Sequence, residues 1–182
     1  MVAEPRLMTV TEFMKLPEQT KPTELIDGEV IVTITPTYEH NQIALRLVAE
    51  LMPVARARKL GAWSVAPLAL FISTYNVYQP DAMFFTPEHI PDRKKLPLME
   101  IPEIVVEVLS PSSRSRDRVR KRSAYADRGI AEYWIIDPEQ SRIIVSLRNV
   151  EGAYIEHAMN DPVIPAGLFA GVEIDLDWIF EQ

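Results

Sequence analysis

The chain has 182 residues with a hydrophobic fraction of 47% and no cysteine, which fits one globular domain and excludes disulfides, thiolate zinc sites and cysteine nucleophiles. Its net charge of −7 argues against a generic nucleic-acid binder. The charge is unevenly spread: residues 114–128 hold seven basic and two acidic side chains, net +5, and the rest holds 12 basic and 24 acidic, net −12.

No run approaches the roughly 18 apolar residues that span a bilayer. The N-terminus lacks the apolar core of a secretory signal, so a cytoplasmic location with no membrane partner is expected. Three histidines, His40, His89 and His157, have no ligand-like spacing. One domain over 1–182 is expected, with a lead-in over 1–22, a core over 23–160 and a tail over 161–182.

In chain order, Thr9 and Glu12 have capping-box spacing before Phe13, and Pro17 stops that first short helix. Thr23–Thr35 alternates about Asp27-Gly28 and predicts a hairpin. Ile43, Leu47 and Leu51 predict a helix from about Glu39 to Lys59, kinked or divided at Pro53. Two strands follow, Trp63–Ser73 and Val77–Phe85, then a proline-rich surface loop over 86–102. Ile104–Leu109 is apolar on both faces, which suits a central strand.

Ser112 or Ser113 caps a basic helix that Gly129 closes, and Ala131–Ile136 is the next strand. Strand, helix and strand have the order of a right-handed parallel crossover. Strands at Arg142–Leu147 and Ala153–His157 and a helix at Leu176–Phe180 complete an α/β or α+β chain with one mixed sheet.

Two residues break the apolar pattern. Asp81 and Glu107 are lone carboxylates inside apolar runs, and burying a carboxylate is costly unless it is paired or binds a cation. By strand alternation Glu107 shares a face with Val105 and Leu109, and Asp81 with Met83 and Phe85. On neighbouring strands both would point into one pocket and suit a hard oxygen-liganded ion such as Mg²⁺ or Mn²⁺. Asp117, Lys121 and Tyr125 are four apart and share a helix face. Carboxylates, an amine and a basic surface together point to metal-dependent phosphodiester chemistry. The plainer alternative is an Asp117–Lys121 ion pair within the helix, with Tyr125 packed on the sheet. Arg114, Arg116, Arg118, Arg120 and Arg122 are candidate nucleic-acid contacts or a solvated face. Glu24 and His40 are secondary candidates, and Glu132 and Asp137 are expected to be solvated or turn-forming.

Several stretches together resemble the Uma-two family of restriction-endonuclease-like proteins, abundant in cyanobacteria and similar to the PD-(D/E)XK nuclease superfamily. They are Glu24-Leu25-Ile26-Asp27-Gly28-Glu29, His40 opening a helix, Gln79-Pro80-Asp81, Pro102–Ser112, Asp117, Lys121, Tyr125, and Gly129–Pro138. The resemblance implies a restriction-endonuclease-like fold, a mixed β-sheet flanked by helices with the site at a fork in the sheet. It implies Asp81 as the motif aspartate, Glu107 as the second acid and a homodimer. The first reading is then a Mg²⁺-dependent endonuclease acting on nucleic acid, DNA first, in which Glu24 assists. The superfamily's lysine stands two residues after the second acid, where this chain has Leu109. Lys121 is then the donor of a migrated amine. A nuclease fold that has lost catalysis and serves as a binding domain is the alternative.

Overall fold

A computed structural model of the protein describes residues 6–17, 20–92, 94–110 and 117–181, apart from the side chains of Asp117 and Arg118. The expected cap at Ser112 or Ser113, together with Arg114 and Arg116, lies outside the described residues.

The short first helix, α1 (Val10–Phe13), opens on the reciprocal Thr9–Glu12 capping box. Strands β1 (Thr23–Ile26) and β2 (Glu29–Val32) form the expected hairpin. Its two-residue turn places Asp27 and Gly28 at φ 50° and 77°, the left-handed conformation that this tight turn requires.

Helix α2 (Tyr38–Ala57) runs through Pro53 undivided. Pro53 is exposed, whereas Ile43, Leu47 and Leu51 form the buried face. Packing of that face therefore outweighs the one helical hydrogen bond that proline removes.

The predicted strands 63–73 and 77–85 each break in two. They become β3 (Ala62–Val65), β4 (Leu70–Ser73), β5 (Asn76–Tyr78) and β6 (Ala82–Phe85). Pro67 and Pro80 lie in the two gaps, and neither has an N–H to give a ladder. The consequence corrects the expectation of one mixed sheet. A four-stranded antiparallel sheet runs β2-β1-β5-β4, and a six-stranded sheet runs β10 (Tyr154–Ala158), β9 (Arg142–Arg148), β8 (Glu132–Asp137), β7 (Ile104–Val108), β6, β3. The chain passes from the larger sheet to the smaller at Pro67 and back at Pro80, so Asp81 stands where the two sheets part.

In the larger sheet, β7 (Ile104–Val108) pairs antiparallel with β6 and parallel with β8 (Glu132–Asp137). The β7–β8 connection carries a π-helical turn at Asp117–Lys121 and helix α3 (Arg122–Arg128), ended by Gly129 at φ 91°. Strands β9 (Arg142–Arg148) and β10 (Tyr154–Ala158) extend the sheet antiparallel, and α4 (Leu176–Ile179) follows near the end of the chain.

Strand alternation sorts the core into two layers. Ala82, Phe84, Val106, Val108 and Trp134 face α2. Met83, Phe85, Val105, Leu109 and Tyr133 face α3 through Tyr125 and Ala126.

Glu132 and Asp137 depart from their expected solvated role and are buried at the two ends of β8. Glu132 Oε1 accepts the Leu168 N–H at 2.5 Å and its Oε2 accepts Trp134 Nε1–H at 2.9 Å. Gly167 permits that approach, because a Cβ there would lie 2.3 Å from Glu132 Oε2. Burial pushes the Glu132 carboxyl up from 4.5 to about 7, although both donors favour its charged form. The folded chain therefore takes up this proton more readily than the unfolded one. Its contribution falls as pH rises from the unfolded value to the folded one, by about 3 kcal/mol at most. Urea unfolding at about pH 5 and about pH 8 should show wild type losing more stability across that interval than Glu132→Gln.

Candidate active site

Asp81 is carried to its position by register. Ala82 faces Val106, and the Asp81 N–H donates to the Val106 carbonyl at 3.1 Å. One step further along β7, the Val108 N–H would meet the next strand acceptor. Because β6 has ended, Asp81 Oδ2 accepts it instead, at 2.7 Å. Asp81 Oδ1 lies 2.9 Å from Nε2 of His40, the third residue of α2. Both side chains are 15% exposed, so this half of the site opens to solvent.

The other half is buried. Glu107 is 4% exposed, Glu24 5% and Lys121 6%. Lys121 turns inward, with Nζ 3.0 and 3.1 Å from the two oxygens of Glu107 and 3.1 Å from Glu24 Oε1. Tyr125, one turn later, donates its hydroxyl to Glu107 Oε1 at 2.5 Å. Burial first, and then the charge of Glu107, pushes the Tyr125 phenol well above its ordinary value, so it stays a neutral donor. Glu24 Oε1 also accepts the Gln79 N–H at 2.8 Å, and the Gln79 side chain reaches the Thr23 carbonyl at 3.2 Å. The Tyr78 ring completes the enclosure, its centroid 5.6 Å from Lys121 Nζ.

The halves meet on β7: Asp81 holds the Val108 N–H, and Lys121 holds the neighbouring carboxylate of Glu107. The helix face predicted from sequence thus delivers Lys121 and Tyr125 to one carboxylate, while the Asp117 side chain lies outside the described residues. Leu109, at the usual lysine position, is packed in the apolar layer with Val105 and Tyr133.

Gln79 and Tyr78 are the neighbours that sequence reasoning did not assign. The signal for Gln79 was its place before Pro80, where β5 has ended and its N–H is released from the ladder. Of the basic series, Arg120 is exposed. Arg122 donates to the Tyr154 carbonyl at 2.7 Å and lies 3.5 Å from Glu156. The Arg118 side chain, like Arg114 and Arg116, is outside the described residues. Among the described residues no three His, Asp or Glu side chains cluster as a metal cage, and no helix is long and apolar enough to cross a membrane.

A family model described as "Uma2: Putative restriction endonuclease" matches residues 10–177. The chain belongs to the Uma2 family. Among solved structures it is similar to one from Anabaena variabilis ATCC 29413 described as "a putative nuclease belonging to DUF820". The TM-score is 0.78 at 21% identity, covering 95% of this chain and 97% of that one. At that identity the likeness is one of fold, and the fold is restriction-endonuclease-like. A second likeness, to the type IIG restriction endonuclease BpuSI, has a TM-score of 0.46 at 11% identity. It covers 83% of this chain but 17% of that much longer one. No curated protein matches the chain.

In this Uma2 protein, Tyr125→Phe removes one hydrogen bond to a buried charge without changing the ring. Urea denaturation should show a loss of about 1.5–3 kcal/mol.

Proposed function

We propose that this Uma2 protein is a divalent-metal-dependent endonuclease that hydrolyses phosphodiester bonds of nucleic acid, DNA in the first place. The observation that carries this reading is the inward Lys121, held between Glu24 and Glu107 rather than among its arginine neighbours. It supplies the amine missing at Leu109. The donor set also suits the ion: the carboxylates offer oxygen only, and an ammonium already sits where Glu24 and Glu107 converge. Magnesium or manganese is bound through one or two carboxylates with water completing the shell, so Asp81 and Glu107 suffice as protein ligands.

In this reading His40 and the Val108 N–H fix the rotamer of Asp81, and Tyr125 fixes that of Glu107. Lys121 orients the attacking water or a phosphate oxygen. Glu24 assists by keeping the Lys121 amine at the site until the cation binds. A cation held by Asp81 and Glu107 would polarise the phosphate and lower the pKa of its water. The water oxygen bonds to phosphorus as the phosphorus–oxygen bond to the leaving sugar breaks. The water gives up one proton to solvent, and the leaving oxygen takes one up. Arg120 and its basic neighbours along 114–122 contact backbone phosphates, which gives salt-sensitive affinity without sequence readout. Cutting both strands calls for two such sites, which a homodimer provides.

Glu107→Gln and Lys121→Ala should each lower divalent-dependent cleavage of DNA at least about hundredfold, with circular dichroism confirming that each variant is folded. Cleavage at the wild-type rate by both variants would remove the assignment. Saturating Mg²⁺ or Mn²⁺ should raise the wild-type melting temperature by a few degrees, corresponding to about 1–3 kcal/mol, and Asp81→Asn should abolish the rise. No cleavage and no metal-dependent rise in wild type would leave a nuclease fold that only binds.

A further inference from the structure

Lys121 does more in this geometry than stand near a site. Three carboxylate oxygens, two from Glu107 and one from Glu24, lie 3.0–3.1 Å from its Nζ. Those are hydrogen-bond distances to an ammonium, whereas a divalent ion draws the same kind of oxygen in to about 2.0–2.6 Å. An ammonium and a divalent ion cannot both stand at the point where those three oxygens converge. With all three residues buried, their repulsion would be weakly screened.

We infer that Lys121 occupies, in the metal-free protein, the seat between Glu24 and Glu107 that a divalent cation takes on binding, so that lysine and metal exclude each other there. This rests on the metal-dependent reading proposed above and extends it to Glu24 as part of the cation seat.

The surroundings are built for such an exchange. Both carboxylates keep a second donor when the amine leaves: Tyr125 hydroxyl for Glu107 and the Gln79 N–H for Glu24. The acids therefore stay aimed at the seat. The leaving ammonium has a neighbouring face to settle on, the Tyr78 ring, whose centroid is already 5.6 Å from Nζ. A four-carbon stem allows that move without a shift of the helix. The exchange couples two events. The amine is released to hold water or phosphate only when the cation is in place, and without metal the one ammonium offsets part of the charge of the two carboxylates.

The test is amine labelling of the wild-type protein with an acetylating reagent, read by mass spectrometry residue by residue, without metal and with saturating Mn²⁺. Lys121 should label about tenfold faster with Mn²⁺, while the exposed Lys59 and Lys94 serve as unchanged references. Equal or stronger protection of Lys121 in Mn²⁺ overturns the inference. Calorimetric titration of Mn²⁺ into Lys121→Met gives a second reading, with binding tighter than wild type by at least about fivefold, because the competitor is gone. Equal or weaker binding overturns it. Wild type that binds Mn²⁺ with Lys121 still protected sinks this inference alone. Wild type that binds neither Mn²⁺ nor Mg²⁺ sinks the metal-dependent reading as well.

Discussion

The buried cluster of Glu24, Glu107, Lys121 and Tyr125 is the constraint on which the rest of the molecule turns. Three charged side chains and a phenol are almost wholly withdrawn from water there. Desolvating a single carboxylate or ammonium costs several kcal/mol even after relaxation, and loss of one partner from such a cluster costs about 3–5 kcal/mol. The cluster is tolerable only if every element that contributes to it stays in register. β1 brings Glu24, β7 brings Glu107, and the π-helical turn before α3 brings Lys121. These belong to the small sheet, the large sheet and the connection between two parallel strands. A polar cluster with fixed partners thus ties together three parts whose apolar packing alone would leave some freedom to slide.

The split between the sheets follows from the same economy of backbone groups. Pro67 and Pro80 deny the ladder a donor at two positions that face one another across the fold. The chain answers by changing sheets at both. The Ala66 N–H still finds the Asp81 carbonyl at 3.0 Å, and the Asp81 N–H finds Val106. Only the donor of Val108 is left over at the end of β6, and the Asp81 side chain takes it. A catalytic candidate is thereby created by a strand ending: its carboxylate is oriented because it substitutes for a missing backbone acceptor. That is a stiffer mount than a loop would give.

Much of this was legible in the sequence. Thr9 and Glu12, Asp27-Gly28, the Ile43–Leu47–Leu51 stripe and the run Ile104–Leu109 are local signals, and each element formed where its residues required. The candidate site was legible too, because a lone acid in an apolar run must find a donor or a cation to be buried at all. What escaped reading is non-local. Pro67 and Pro80 fall inside runs that read as single strands, since nothing in the local pattern says that a second sheet is available to receive the chain. Glu132 was misread for a similar reason. Its partners, the Leu168 N–H and Trp134 Nε1–H, include a donor 36 residues away. A flanking acid and a buried acceptor are indistinguishable until that loop is folded back. Gln79 contributes mainly through its backbone N–H, which side-chain identity does not report.

In the proposed reading, Leu109 marks a functional group that has moved to another element. A lysine at that position would share the face of Glu107 and emerge in the layer where Val105, Tyr133 and Tyr125 now pack. Leucine there completes the apolar layer, and the amine must then arrive from a different element. The π-helical turn at 117–121 is suited to deliver it, because one extra residue per turn rotates the side chain at its end relative to a regular helix. Tyr125 then follows at ordinary α-helical spacing and reaches the same carboxylate. Moving the amine from strand to helix has a mechanical consequence. A lysine on β7 and one at the end of the π turn both hang on a four-carbon stem, but only the second has its backbone on a different element from Glu107. In the proposed reading, a change of partner by that amine moves only its four-carbon stem and leaves β7 in place.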